Sequence, residues 1–300
     1  MPSALQPLQL GMPPNEKPGD APRDEPGEIT QFIQKMDSEL LGWDQPAARL
    51  REALEYDHFR LYGQPIVALG KEDPENPAQS PHPGAIAFAE VLVRLREEEA
   101  RMLPPGDFLP AFEHYGMMVE LDRWVVRTAL RRLEQGGAVS RLSINVSGQT
   151  IEEPGFAPFV AVQLRLASLD PASLVFEIDE NDAIDRRQAA ERFAADMKGI
   201  GCRLLIDGFA RRSVSFEPLR ALLVDYVKVD GTIIRNVLRS GNAAAKLKAI
   251  LRVGQVTGVK VIAECVEEDN VLATLTELKV DYAQGFGVRK PEPIDDLFKP

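Results

Sequence analysis

Two hydrophobic rhythms divide the chain. Between Glu28 and Leu54 apolar residues recur every three or four positions (Ile29, Phe32, Ile33, Met36, Leu40, Leu41, then Leu50 and Leu54). That spacing predicts helices, and Pro46 suits the first turn of the second one. From Tyr56 onward short apolar runs alternate with helical stretches. The predicted strands are 58–67, 85–92, 141–146, 173–178, 202–207, 225–229, 259–264 and 280–284. The predicted helices are 107–136, 156–167, 185–199, 214–222, 241–256 and 267–277. A loop carrying Pro74, Pro77, Pro81 and Pro83 separates the first two strands. Alternation of this kind predicts a parallel sheet covered by helices. Eight strands suit an α/β, TIM-like (β/α)8 barrel. An open doubly wound sheet is the alternative, but no glycine-rich phosphate loop follows any strand.

The polar residues that stop the apolar runs supply the chemistry. Ile86 to Glu90, Leu142 to Asn145, Leu174 to Glu177, Leu204 to Asp207 and Val259 to Glu264 each end in an acid or a carboxamide. Lys228, Asp230 and Gln284 hold similar positions. In a barrel, strand ends converge on one mouth, where active sites lie. Singly, any of these acids reads as a surface charge or a helix cap. Collectively they form an oxygen-rich set without histidine or cysteine, which suits Mg²⁺, Mn²⁺ or Ca²⁺. Lys228 would place a cation among them, able to hold a water or to stabilise charge on a phosphate.

Composition narrows the picture further. Of 300 residues, 44% are hydrophobic and 27% charged, ordinary values for a globular protein. A net charge of −11 argues against a nucleic acid polymer as the main partner. No apolar run is long enough for membrane insertion, and no signal peptide is indicated. The two cysteines, Cys202 and Cys265, have neither zinc spacing nor the number for a disulfide framework, so a cytoplasmic location is expected. Cys202 reads as core. Cys265, beside Glu264, is either buried and inert or a reactive thiol. Residues 1–27 are rich in Pro, Gly and acids and read as a disordered tail. Residues 28–55 read as a helical extension and 56–300 as the barrel domain.

Several motifs recur in the order of a known family. They are Gln64-Pro65-Ile66-Val67, Ala89-Glu90-Val91-Leu92-Val93-Arg94, Phe108-Leu109-Pro110, Trp124-Val125 and Ile144-Asn145-Val146-Ser147. They continue with Phe176-Glu177-Ile178-Asp179-Glu180, Val227-Lys228-Val229-Asp230, Ala263-Glu264-Cys265-Val266-Glu267, Gln284-Gly285-Phe286 and Lys290-Pro291-Glu292-Pro293. From about Tyr56 to Leu297 the chain resembles an EAL domain, the family of cyclic di-GMP phosphodiesterases and their inactive relatives. The literal triplet Glu52-Ala53-Leu54 precedes the first strand and is a coincidence.

The resemblance implies roles. In active members two divalent metals bridge a water that attacks one phosphodiester bond, giving pGpG. Glu90, Asn145, Glu177 and Asp207 match metal ligands for Mg²⁺ or Mn²⁺. Lys228 and Glu264 match catalytic residues. Arg94 matches an arginine that contacts a ligand phosphate, and Gln284 a residue around the metals. Glu267 is implied to bind the nucleotide, with Gln64, Pro110 and Pro291 flanking it.

One segment departs from the pattern. Where the family has Asp-Asp-Phe-Gly-Thr-Gly, this chain has Asp207-Gly208-Phe209-Ala210-Arg211-Arg212. Gly208 offers no side chain to a second metal. Losing about 4 kcal/mol of barrier lowering costs about three orders of magnitude in rate. Arg211 and Arg212 are either ligand contacts or a solvated loop. The expectation is therefore a degenerate EAL domain that binds cyclic di-GMP and signals through a protein partner or homodimer, with little or no hydrolysis. An active phosphodiesterase and an interaction module without nucleotide binding are the alternatives.

Overall fold

The computed structural model describes residues 46–70, 84–96, 102–103, 105–211 and 214–299. The tail 1–27 and the helical extension before Pro46 lie outside the described residues, as does Arg212. The helix Pro46–Glu55 forms as expected and buries Leu50 and Ala53, so the Glu52-Ala53-Leu54 triplet lies within a packed helix and not at a strand end.

Among the described residues ten strands follow: β1 (Phe59–Ala68), β2 (Ile86–Arg96), β3 (Met102–Leu103), β4 (Leu142–Val146) and β5 (Leu174–Asp179), then β6 (Arg203–Phe209), β7 (Tyr226–Val229), β8 (Lys260–Ala263), β9 (Tyr282–Ala283) and β10 (Glu292–Pro293). Eight of them close a barrel in the order β1-β9-β8-β7-β6-β5-β4-β2, sealed by pairing of β1 with β2. The short β3 and β10 add to the edges of β2 and β1. The TIM-like barrel expected from the alternation is therefore present.

One strand corrects the all-parallel reading. β1 runs antiparallel to both barrel neighbours, β2 and β9. A parallel pair needs a crossover of a dozen or more residues, usually helical. An antiparallel pair needs no such crossover, and the proline-rich sequence between β1 and β2 carries no helical periodicity. The predicted helix 107–136 is likewise two helices, Pro105–His114 and Met118–Glu134. They are divided at Gly116, whose φ of 65° lies in the left-handed region that ends helices.

Alternation along the strands builds the barrel interior in layers. Ile66, Phe88, Val175, Leu205, Tyr226 and Ile262 form one buried apolar cluster, with Tyr282 packed against it. Each such side chain contributes about 1.5–3 kcal/mol by leaving water. Two positions along each of these strands stands a polar residue: Gln64, Glu90, Glu177, Asp207, Lys228, Glu264 and Gln284. Side chains two apart share a face of a strand. The apolar cluster is thus the floor beneath the polar set. On antiparallel β1 the polar Gln64 precedes Ile66, whereas on the other strands it follows.

Candidate active site

Lys228 lies at the centre of the polar layer and is only 2% exposed. Its Nζ donates to Glu90 Oε2 at 3.0 Å and to Glu177 Oε2 at 2.5 Å. Asp207 Oδ1 stands 3.5 Å away. Gln284, also buried, donates from Nε2 to Glu90 Oε2 at 2.7 Å, and Asn145 donates from Nδ2 to Glu90 Oε1 at 2.9 Å. Gln64 is the cross-strand partner of Glu90, and its Oε1 accepts from Gln284 Nε2 at 3.4 Å. The barrel thus gathers Gln64, Glu90, Asn145, Glu177, Asp207, Lys228 and Gln284 from seven strands or strand ends.

The charge balance explains the titration of these groups. Burial and the charges of Glu90 and Asp207 push the Glu177 carboxyl up to about 8, against the pull of Lys228. Burial also raises Glu90, but Lys228 and the hydrogen bonds from Gln284 and Asn145 outweigh it and hold this carboxyl below the usual range. Burial opposes the charge on Lys228, yet the three facing carboxylates hold its pKa well above the ordinary lysine value. Glu264 is pushed up to about 7 by burial and by Asp207, and its Oε1 accepts the Gly231 N–H at 2.6 Å.

The other expected residues lie nearby or farther out. Arg94 follows Glu90 by four positions on the same face of β2, and its guanidinium lies 5.7 Å from the Tyr62 ring centroid. Pro291 immediately precedes β10, whose Glu292 pairs with Gly63 of β1, next to Gln64. Pro110 is inside the helix Pro105–His114, and exposed Glu267 pairs at 3.7 Å with Arg235. These two are not hydrogen-bonded to the central set. The Cys265 thiol is pushed up by burial and by Glu264, the opposite of what an activated nucleophile needs. Buried Cys202 is raised to about 12.

A hard divalent cation suits the donor set. With all three carboxyl groups ionised, as ligation to a metal requires, they and one ammonium sum to a formal charge of −2, which one divalent ion would neutralise. Glu177 Oε1 and Asp207 Oδ1 are buried without a hydrogen-bond partner. As they stand, the carboxylates are drawn onto Lys228, and among the described residues no three acidic, histidine or cysteine side chains form a ready metal cluster. Glu90, Asn145, Glu177 and Asp207 are the side chains that would hold one ion.

Position 208 differs from this. Gly208 has φ 64°, and Ala210 has φ 68°. A Cβ on Gly208 would meet the Arg211 guanidinium, with Nη2 at 2.3 Å. Arg211 donates from Nε to Asp230 Oδ2 at 3.0 Å and from Nη1 to Asp179 Oδ2 at 3.1 Å. Glu180, 2% exposed, accepts the Ala210 N–H at 2.9 Å and fixes the turn.

Two supporting carboxylates escaped the sequence reading. Glu180 immediately follows β5 but looks like an ordinary first-turn acid. Asp122 is buried in a helix, and its Oδ2 accepts from Ser147 N at 3.0 Å, Ser147 Oγ at 2.9 Å and Thr150 Oγ1 at 2.6 Å. It thereby anchors the turn that follows Asn145. Its only signal was an acid on the apolar face of the helix.

Comparison with known proteins places this architecture. The EAL-domain family model matches residues 47–291. Cyclic di-GMP phosphodiesterase PdeB of Shewanella oneidensis is 30% identical over 251 residues, covering 83% of this chain and 28% of PdeB. Cyclic di-GMP phosphodiesterase PdeF of Escherichia coli is 27% identical, covering 83% of this chain and 32% of PdeF. The chain therefore spans about a third of the length of these curated relatives. Among solved structures, the FimX EAL domain from Pseudomonas aeruginosa bound to c-di-GMP has a TM-score of 0.71 at 29% identity, covering 83% of this chain and 96% of that one. The PaMucR phosphodiesterase in complex with c-di-GMP has a TM-score of 0.73 at 27% identity, covering 84% and 99%. With its barrel, its ring of strand-end oxygens and a match across residues 47–291, the chain belongs to the EAL domain family.

Proposed function

We propose that this chain is a cyclic di-GMP receptor that hydrolyses its ligand slowly or not at all. The observation carrying this reading is the pairing of Gly208 with Arg211, which puts a guanidinium where a second carboxylate would project. Support for the nucleotide comes from FimX and PaMucR, which share this fold and hold c-di-GMP. Glu90, Asn145, Glu177 and Asp207 would hold one Mg²⁺ or Mn²⁺. Such an ion, when bound, stabilises charge on a phosphate oxygen and lowers the pKa of a bound water.

The remaining residues act on binding. Arg94 offers its guanidinium to a phosphate. Gln284 and Asn145 orient Glu90, and Lys228 holds the three carboxylates together. Glu267, Gln64, Pro110 and Pro291 flank the dinucleotide. Signalling then passes to a protein partner or a second copy. No helix among the described residues is long and apolar enough to cross a membrane, and a cytoplasmic location accords with a nucleotide ligand.

A second reading, an active metal-dependent phosphodiesterase giving pGpG, is favoured by Glu177 Oε1, a buried acceptor that takes no hydrogen bond and is free for metal. Calorimetry with cyclic di-GMP in Mg²⁺ or Mn²⁺, run beside chromatography for pGpG, separates the two. Micromolar binding without product is expected. Steady multiple turnover rejects the receptor, and no binding heat under either metal leaves an interaction module.

A further inference from the structure

The loop after β6 carries more than a missing ligand. Arg211 is the residue that fills the gap at Gly208, and its position is set from three sides. Asp230, 5% exposed, accepts from Nε, and Asp179, the cross-strand partner of Asp207, accepts from Nη1. Glu180 holds the Ala210 N–H, so the turn that launches the arginine is tied to the barrel. Among the described residues Nη2 donates to no oxygen, and it is the nitrogen nearest the side-chain direction of position 208.

Charge arithmetic gives this arrangement a meaning. An aspartate at position 208 together with a divalent cation would sum to about plus one. A glycine at 208 together with the Arg211 guanidinium also sums to about plus one. The same local charge is reached without a second ion and without a metal-bound water. A guanidinium can donate to phosphate oxygens, but it is always charged and cannot generate a nucleophile.

We infer that Arg211 is a tethered cation that takes the place of a second divalent ion, excluding that ion and offering Nη2 to a phosphate oxygen of the nucleotide. The inference rests on the receptor reading for its ligand but not for its ion count. It also means that a carboxylate restored at Gly208 is insufficient by itself, because the guanidinium occupies the space into which it would point.

The test is a count of Mn²⁺ bound per chain after equilibrium dialysis, with electron paramagnetic resonance to detect paired Mn²⁺. The proteins are the wild type, Gly208→Asp, Arg211→Ala and the double variant. Aspartate tolerates the left-handed backbone of position 208 better than most residues, and Gly208→Asn controls for the backbone without the charge. The double variant is expected to bind one more ion than the wild type and to show the spin-coupled signal. Gly208→Asp alone and Gly208→Asn paired with Arg211→Ala are expected to match the wild type. Arg211→Ala alone is expected to weaken cyclic di-GMP binding about tenfold or more. Two coupled ions in the wild type, a gain of the extra ion by Gly208→Asp alone, or a double variant with no gain would overturn the exclusion. Unchanged nucleotide affinity in Arg211→Ala would overturn the phosphate contact. Failure of the wild type to bind nucleotide would instead defeat the receptor reading while leaving the ion count to judge Arg211.

Discussion

Lys228 donates to Glu177 at 2.5 Å from a position that is 2% exposed, and both residues project above the apolar floor of the barrel. One ammonium serves Glu90, Glu177 and Asp207 together. Removing one partner of a buried ion pair leaves uncompensated charge, which costs more than the pair itself contributes. Lys228→Met is therefore expected to lose about 3–5 kcal/mol of stability at neutral pH. Denaturant unfolding measures the loss, and added Mn²⁺ should restore part of it by supplying the missing positive charge.

Asp122 gives a pH signature away from the site. Burial pushes its carboxyl up to about 6, although Thr150 and Ser147 donate to it. The folded value lies above the unfolded one, so the folded state holds the extra proton. Stability from this group is present below about pH 4 and is lost as pH rises through about 6. The difference amounts to about 2–3 kcal/mol. Unfolding of the wild type and Asp122→Asn from pH 4 to pH 7 should show this dependence shrinking in the variant. Parallel pH profiles would contradict it.

Glu180 should control the order of the loop that carries Arg211. Its carboxylate is the acceptor for the buried Ala210 N–H. Glu180→Ala leaves that donor unsatisfied, a cost of about 1–3 kcal/mol. Amide exchange at Ala210 and its neighbours is expected to accelerate by more than tenfold, while the strands opposite stay protected. Exchange at unchanged rates would show that the turn is held by something else.

Gly285 sets the position of Gln284. A Cβ on Gly285 would lie 2.2 Å from the Val266 carbonyl oxygen and 2.3 Å from its nitrogen. Neither backbone atom can move without disturbing the hydrogen bonds Val266 N–H to Gln284 O and Gly287 N–H to Val266 O. Gly285→Ala is expected to destabilise the protein by about 3 kcal/mol, with Gln284 displaced from Glu90. Thermal unfolding measures the first effect and loss of nucleotide affinity the second.

Much of the barrel is visible in local patterning. The apolar runs on β5 through β8 each stop at a polar residue, and the two-residue period places that residue above an apolar one without reference to any partner strand. Strand identity and the strand-end polar set therefore follow from local alternation, and the Asp207-Gly208 departure can be read directly; alternation by itself does not separate a closed barrel from an open sheet, and it is the acids at so many strand ends that favour the barrel. Antiparallel β1 is not local in this sense. Its direction depends on which strands it meets at barrel closure, and its own alternation is the same either way. The division of 107–136 at Gly116 was missed because one glycine barely interrupts a helical period.

Long-range contacts account for the rest. No spacing connects Arg211 to Asp179, 32 positions away, or to Asp230, 19 positions away. No spacing makes Asp122 the anchor of the turn after Asn145. Side-chain type and periodicity are properties of neighbours in the chain, and they decided which residues face the mouth. Which of those residues satisfies which charge depends on distances across the barrel, and only the closed fold brings those groups within reach.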